Sequence, residues 1–165
     1  MKTLIADATP LILLAKVGLL ELVTAHFSLV VTEEVADEAT RRQELPDAQH
    51  IRRLLSEKKI TVRIAPKNAI HSFRKQWGIG RGEASVLLLA VRDNCVLTTD
   101  DLAAMRVARA LGVSVVTSLL LLVELHHRGF LSLELAQSKL DALEEIAWLS
   151  PEVLNDARKR LQGGK

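Results

Sequence analysis

The chain has 165 residues, of which 48% are hydrophobic and only 3% aromatic, and it carries 22 Lys or Arg against 20 Asp or Glu. This length favours one domain with its own apolar core, and the single cysteine, Cys95, excludes a disulfide framework and a thiolate zinc site. The net charge of +2 permits a nucleic-acid partner without requiring one, and the shortage of aromatic rings argues against recognition by stacking.

The chain shows neither an export signal nor a membrane-spanning segment. No cationic region followed by a long apolar stretch opens the sequence. The richest apolar run begins at Val113, is interrupted by Thr117 and Ser118, and ends at Glu124. That run is shorter than the ~18–20 uninterrupted apolar residues that a spanning helix needs. We therefore expect a cytoplasmic protein with no membrane partner.

Five short segments rich in β-branched or apolar residues predict strands, and longer helical patterns lie between them. The predicted strands are residues 3–6, 28–31, 60–64, 95–98 and 113–116. Strands that alternate with helices predict a parallel sheet covered on both faces, with right-handed crossovers. The expected fold is a three-layer α/β/α sandwich around a central parallel sheet of about five strands.

Residues that are typical of helix ends lie between the predicted strands. Thr9 followed by Pro10 predicts the cap and first turn of the first helix, and Thr32 predicts the cap of a later one. Gly112 is expected to end the helix that begins near Asp101. These signals place a helix after each of three predicted strands.

The residues after Val116 have helical patterns throughout. Residues 133–146 are amphipathic, and Ser150 followed by Pro151 is expected to open a last helix. We therefore predict a single domain over residues 1–165, with an α/β core at 1–117 and C-terminal helices at 118–162.

Asp7 lies where the first predicted strand gives way to a helix, within "LIADATPLILL". One interpretation is local: an Asp at a helix start accepts backbone N–H groups and complements the helix dipole. The other interpretation is a functional site, because ligands of open parallel sheets bind at the carboxyl ends of the strands. The second interpretation requires other acids at the same edge.

Several other acids follow predicted strands or open helices. Asp100 and Asp101 follow the fourth predicted strand, Glu38 lies one turn from Glu34 on the helix after the second, and Glu83 follows the glycine-rich "WGIGRG". Each also has a local interpretation as a cap or a helix-start charge.

A shared cluster of these acids would need a cation. Two carboxylates ~4 Å apart repel by roughly 4 kcal/mol at an effective dielectric constant near 20. Oxygen-only ligands of high charge favour Mg²⁺ or Mn²⁺ over zinc. The arrangement therefore predicts metal-assisted phosphodiester hydrolysis with no side-chain nucleophile. Arg81 and Arg106 are the basic side chains expected to contact the nucleic-acid backbone.

Four blocks of the sequence resemble PIN-domain ribonucleases, in the branch of the toxins of bacterial and archaeal toxin–antitoxin pairs. In family order within residues 4–116, they are "DATPLILLAKVGLLELV", "VVTEEVADEA", "GIGRGEASVLLLA" and "VLTTDDLAAMRVARALGVSVV". The resemblance implies a homodimeric endonuclease that depends on Mg²⁺ or Mn²⁺, cuts RNA and is silenced by an antitoxin protein.

The resemblance also implies residue roles. The implied catalytic residues are Asp7, Glu38, Glu83 and Asp101. The implied metal ligands are Asp7, Glu83, Asp100 and Asp101, since the threonine-x-acid pattern fits either Asp of the last pair. The third acid is Glu where the family usually has Asp. Thr9 resembles a small hydroxyl residue that hydrogen-bonds to the site.

Two other functions remain open on the sequence. The first is a binding module that keeps the fold and the acids but cuts nothing, and instead holds RNA or a protein. The second is a phosphoryl-transfer enzyme or aspartyl-phosphate receiver, with Asp7 or Asp100 as the acceptor. The receiver is disfavoured because "VVTS" stands where a lysine would follow a late strand.

Overall fold

The structure, a computed structural model, describes residues 1–163. Its centre is a five-stranded, fully parallel sheet with the strand order β3-β2-β1-β4-β5. The strands are β1 (Thr3–Ala6), β2 (Ser28–Thr32), β3 (Ile60–Arg63), β4 (Val96–Thr98) and β5 (Val115–Val116). The predicted α/β fold with about five parallel strands is confirmed, and each predicted strand matches an observed one to within two residues at either end.

Seven helices accompany the sheet in residues 1–116. They are α1 (Ala8–Lys16), α2 (Leu20–His26), α3 (Glu33–Ala39), α4 (Pro46–Ser56), α5 (Lys67–Trp77), α6 (Arg81–Asp93) and α7 (Leu102–Ala110). Right-handed crossovers place α1 to α4 on one face of the sheet and α5 to α7 on the other. The packing agrees with this, because α1 contacts α3 and α4, whereas α6 lies over β1, β2 and β4 and contacts α7. The predicted sandwich is therefore present.

The central strands are buried on both faces. Leu4 and Ile5 on β1, Val31 on β2 and Leu97 on β4 are all fully buried, and consecutive residues are buried rather than alternate ones. This pattern is expected where helices cover both sides of a parallel sheet. On the edge strand β3, only Ile60 is buried. Because β1 is central, its carboxyl end lies in the middle of the sheet edge.

The first helix begins earlier than predicted. Asp7 is extended, and its Oδ1 accepts a hydrogen bond from the Ala8 backbone N–H at 2.8 Å, so Asp7 is the cap. The prediction of a Thr9 cap was wrong, and Thr9 is exposed in the first turn. Pro10 is the third helical residue, where its missing N–H costs no intrahelical bond. Thr32 caps α3 as predicted, accepting from the Val35 N–H.

A second compact unit begins at Thr117. It contains α8 (Ser118–His127), α9 (Leu133–Ile146) and α10 (Pro151–Leu161), which contact one another in pairs. The side-chain hydroxyls of Thr117, Ser132 and Ser150 cap these three helices. Each hydroxyl accepts a hydrogen bond from the backbone N–H three residues later in the chain. The division falls after Val116, close to the boundary predicted between core and C-terminal helices. That both units form one domain stays a prediction.

Among the described residues, no single helix is both long and apolar enough to cross a membrane. Only α1 and α2 taken together have the required length and composition, and this pair is bent by 114°. The cytoplasmic location stays a prediction.

The burial of β4 is testable through Leu97. Leu97→Ala should lower the free energy of unfolding by about 2–5 kcal/mol, because it removes apolar contacts and leaves a cavity. Leu102→Ala is the matched control, since Leu102 is 63% exposed, and it should change stability by less than about 0.5 kcal/mol. Urea unfolding followed by circular dichroism measures both, and equal losses would contradict the burial of β4.

Candidate functional site

Asp7 is buried at the carboxyl end of β1, with 4% of its surface exposed. Its backbone N–H donates to the Thr98 carbonyl at 2.9 Å and so continues the β1–β4 pairing by one residue. Its Oδ2 accepts a hydrogen bond from the Thr99 hydroxyl at 3.0 Å. The parallel pairing of β1 and β4 therefore joins Asp7 to the segment that carries Asp100 and Asp101.

The pKa of Asp7 is raised from 3.8 to about 6. Burial is the largest cause, and the negative charges of Glu83 and Glu38 raise the pKa further. The Ala8 N–H and the Thr99 hydroxyl oppose this rise by donating to the carboxylate. Asp7, Glu38 and Glu83 thus share one electrostatic environment, although they lie on three different elements of the chain.

Gly82, in the first turn of α6, has no side chain, so a space stays open beside the carboxylates of Asp7 and Glu38. A Cβ at Gly82 would lie 2.9 Å from Glu38 Oε2 and 3.8 Å from Asp7 Oδ1. The absent side chain therefore forms a small gap that both oxygen atoms face. The sequence alone did not point to Gly82 as part of the site. The one signal available was that a glycine, the smallest residue, directly precedes the acid Glu83.

A buried hydroxyl pair holds the helices that carry the acids. Thr32 Oγ1, at the start of α3, lies 2.6 Å from Ser85 Oγ on α6. The Ser85 hydroxyl also donates to the Gly82 carbonyl at 2.7 Å. Both side chains are fully buried, so this network fixes the first turn of α6 against α3. Sequence reasoning missed the pair because its members are 53 residues apart and each is a small polar residue without a motif.

Glu34 is an additional carboxylate at the start of α3. Its Oε1 forms an ion pair with Arg81 at 3.5 Å, and its side chain is only 9% exposed. Within residues 1–163, its buried Oε2 has no hydrogen-bond partner. A buried carboxylate oxygen is costly unless another group satisfies it. Sequence analysis had interpreted Glu34 only as one of a pair of acids on the α3 face.

The predicted RNA-contacting arginines are both exposed. The Arg81 side chain is 56% exposed beside Glu34, at the first position of α6. Arg106 lies on α7, and its Nε donates to the Leu102 carbonyl at 3.3 Å. Arg81 is therefore adjacent in sequence to Gly82 of the site, whereas Arg106 belongs to the helix that Asp101 opens.

Asp101 is connected to Asp7 through the Thr99 hydroxyl, which forms a hydrogen bond with both residues. Its backbone N–H donates to Thr99 Oγ1 at 3.2 Å, and the same hydroxyl donates to Asp7. Its carboxylate caps α7, with Oδ1 accepting from the Ala104 N–H at 2.7 Å. Asp100, the alternative residue, is half-buried beside it. The hydroxyl bonded to Asp7 is thus that of Thr99, not that of Thr9.

The donor atoms fit a hard dication in type. They are carboxylate oxygens, which Mg²⁺ and Mn²⁺ prefer, and two of them, Glu38 Oε2 and Asp7 Oδ1, face the gap at Gly82. In the described part of the chain, however, no three His, Cys, Asp or Glu side chains are close enough to hold one ion together. The Glu83 carboxylate folds back over Gly80, where a Cβ would overlap it. The Glu83 carboxylate therefore lies at Gly80 rather than at the gap beside Gly82.

Comparisons with known proteins complete the description of the site. A sequence-family model described as a PIN domain matches residues 3–163. Among solved structures, a PilT N-terminus domain protein from the hyperthermophilic archaeon Sulfolobus solfataricus P2 is similar, with 15% sequence identity and a TM-score of 0.45, over 84% of this chain and 93% of that chain. No curated protein matches the chain. The family match includes every acid described above.

The raised pKa of Asp7 makes stability depend on pH. In the unfolded chain this carboxyl ionises near 3.8, but in the folded protein near 6, so unfolding at intermediate pH releases a proton. Stability should therefore fall as pH rises through this window and remain lower above it. Asp7→Asn keeps an acceptor for the Ala8 N–H, and without divalent ions it should raise the free energy of unfolding near neutral pH by about 2–3 kcal/mol.

Urea unfolding in EDTA, on both sides of this pH window, measures the effect. Asp37→Asn is the matched control, because Asp37 is an exposed carboxylate on α3 next to Glu38. The control should change stability by less than about 0.5 kcal/mol. If Asp7→Asn destabilises the protein near neutral pH, the assigned environment of Asp7 is wrong.

Proposed function

We infer a nuclease function from the premise that this chain belongs to the PIN-domain family, a nuclease-type fold, since the family match covers residues 3–163. The proposed activity is hydrolysis of RNA phosphodiester bonds with Mg²⁺ or Mn²⁺ as cofactor. The observation that carries it is the meeting of Asp7 and Glu38 at the gap left by Gly82, directly before Glu83 in the first turn of α6. This meeting lies at the sheet edge where open α/β proteins bind their ligands.

The proposed roles follow from burial and position. Asp7 and Glu83, with Asp101 or Asp100, would hold the metal ion, which when bound supplies Lewis acidity and an activated water. Asp7 is oriented for this role by its hydrogen bonds from Ala8 and Thr99. Glu38 is exposed to solvent and its Oε2 faces the gap, which supports a proposed role for Glu38 as the group that would accept a proton from the attacking water.

A specific observation favours a second candidate, a binding module that holds RNA or a protein without cutting. In residues 1–163 no ready set of three ligands exists, and the Asp101 carboxylate is already used as a helix cap. Under this alternative, the acids would be remnants of a site that no longer binds an ion. The two candidates differ in ion binding and in cleavage, which can be measured separately.

The role of toxin in a toxin–antitoxin pair, the antitoxin partner and the homodimer are further parts of the proposal. Their support is the resemblance of the four sequence blocks to the toxin branch of the family. Expression of the wild-type protein in a bacterial host should arrest growth, and co-expression of a small protein encoded by a neighbouring gene should relieve the arrest. Size-exclusion chromatography with light scattering tests the dimer.

RNA cleavage tests the main proposal directly. With Mn²⁺, Asp7→Asn should cut RNA at least ~100-fold more slowly than wild type, since loss of even an outer-shell partner of a metal ligand can cost that much. Asp37→Asn, the exposed neighbour on α3, should retain wild-type activity. Unchanged cleavage by Asp7→Asn would remove Asp7 from the mechanism. No cleavage by wild type, together with no Mn²⁺-induced rise in Tm, would contradict the nuclease proposal and favour the binding module.

Gly82→Ala tests the gap without disturbing the fold. The new Cβ would lie 2.9 Å from Glu38 Oε2 and must displace that exposed carboxylate. Stability should stay equal or rise by up to about 1 kcal/mol, because Ala is favoured over Gly in a helix. The Mn²⁺-induced rise in Tm, which reports ion binding to the folded state, should shrink.

Shortening Glu38 supplies the rescue control for this variant. Gly82→Ala combined with Glu38→Asp removes one methylene from the displaced side chain and should recover part of the Mn²⁺-induced rise in Tm. If Gly82→Ala leaves that rise unchanged, the gap is not part of an ion site.

A further inference from the structure

The basic side chains are concentrated in one segment of the chain. Residues 58–82 contain seven Lys or Arg and no Asp or Glu. The rest of the chain has fifteen basic and twenty acidic side chains, a net charge of −5. The positive charge of this protein therefore comes from a single segment, which includes α5 and ends at Gly82 of the candidate site.

Within this segment, α5 exposes a row of cations. Lys67, His71 and Arg74 follow at helical spacing and share one face, and Lys75 lies beside Arg74. All four are exposed. We call Lys67, Arg74 and Lys75 the basic face of α5.

The basic face of α5 is not neutralised within the protein. No carboxylate of residues 1–163 lies within 4 Å of its charged groups, whereas cations on other helices, such as Arg53 and Arg158, have acidic partners. Arg74 and Lys75 are adjacent in the last turn of α5, and like charges this close repel each other. A polyanion is the ligand that would relieve this repulsion.

The end of α5 lies next to the carboxylate site. Gly78 ends the helix in a left-handed conformation with φ +65°, and the chain turns back so that α6 packs against α5. Trp77 and Gly80, the cap of α6, are three residues apart, so their Cα atoms lie within about 11 Å of each other. The last turn of α5 is therefore beside the first turn of α6, which carries Gly82 and Glu83.

Two of the five aromatic side chains of the protein border this face. Phe73 and Trp77 are half-buried, lie one turn apart and have ring centroids separated by 6.2 Å. Together with the buried Ile70 they form the stripe of α5 opposite its exposed side. Phe73 directly precedes Arg74 and Trp77 follows Lys75 by two residues, so an unpaired base that stacks on one of these rings would have its phosphate near a cation.

We propose that the basic face of α5, together with Arg81, holds the backbone of a single-stranded RNA as the strand enters the carboxylate site. This inference rests on the proposed function, because it names where the substrate of that site binds. The half-exposed rings favour a single strand over a duplex, whose bases cannot reach them. An acidic protein segment is the competing polyanion, and the test separates it from RNA.

The test measures RNA binding in EDTA, where no metal-dependent cleavage occurs. The variant Lys67→Gln/Arg74→Gln/Lys75→Gln should bind a short single-stranded RNA at least about tenfold more weakly by fluorescence anisotropy. The slope of log Kd against log salt should fall by about 2, since each phosphate contact of a single strand contributes about 0.7.

A second triple variant controls for net charge. Lys16→Gln/Arg52→Gln/Arg109→Gln removes the same charge from exposed positions on α1, α4 and α7. It should weaken RNA binding by less than about threefold, because these cations do not contact the strand. Equal losses in both triple variants would overturn the inference, since net charge alone would then explain them.

Tryptophan fluorescence provides an independent measurement, made on variants that keep every Lys and Arg of α5. Trp148→Phe leaves Trp77 as the only tryptophan, and RNA should quench its emission. Trp77→Phe leaves Trp148, which is 93% exposed in the second compact unit, and RNA should leave its emission unchanged. Quenching of Trp148 but not of Trp77 would overturn the inference.

The outcomes also separate this inference from the proposed function. If wild type binds RNA through α5 but does not cut it with Mn²⁺, the nuclease proposal fails and the binding surface stands. If wild type cuts RNA and the α5 triple variant cuts it with unchanged KM, the binding surface fails and the nuclease proposal stands. If the α5 triple variant keeps RNA binding but loses an acidic protein partner, the face is a protein-binding surface and the inference is overturned.

Discussion

Thr99 donates a hydrogen bond to Asp7 across 92 residues of sequence, and this contact depends on the parallel pairing of β1 with β4. The register that sets Ala6 opposite Thr98 places the next residues of both strands side by side at the sheet edge. The same hydroxyl accepts the Asp101 N–H, so the last acidic segment is attached at this point too. Without that pairing, Asp7 and Asp101 would have no common location.

Asp7 is a helix cap that also lies near other carboxylates. It caps α1 through Oδ1, its second oxygen accepts from Thr99, and its Oδ1 faces the gap at Gly82 together with Glu38. The hydrogen bonds from the Ala8 N–H and the Thr99 hydroxyl favour the ionised form of Asp7. Burial and the charges of Glu83 and Glu38 outweigh these hydrogen bonds and raise the pKa of Asp7 to about 6. A buried acid that is destabilised by its neighbours is typical of a functional site, where stability is lower than the fold alone would allow.

The charge distribution fits a polyanionic ligand approaching an acidic centre. The basic face of α5 attracts phosphate, whereas Asp7, Glu38 and Glu83 repel it, and the two regions are joined by the short turn at Gly78. A cation between the carboxylates and a phosphate group would reverse the repulsion at the point of reaction. Under the proposed function, binding charge and reactive charge would be separated along the chain, and the segment 58–82 before Glu83 indeed contains no acid.

The sequence by itself determined the strands, the caps at Thr32 and Ser150, and the presence of an acid at the end of β1, because periodicity and capping depend on residues close along the chain. Only the tertiary structure decided that Asp7 rather than Thr9 caps α1, that Gly82 leaves the gap facing Glu38, and that Asp101 caps α7. The hydrogen bond between Thr32 and Ser85 was also decided only by the tertiary structure. The Gly82–Glu38 and Thr32–Ser85 contacts join residues far apart in sequence and depend on strand order and helix packing, which no local pattern encodes. The caps of α1 and α7 are local contacts, but the sequence offers more than one candidate residue for each.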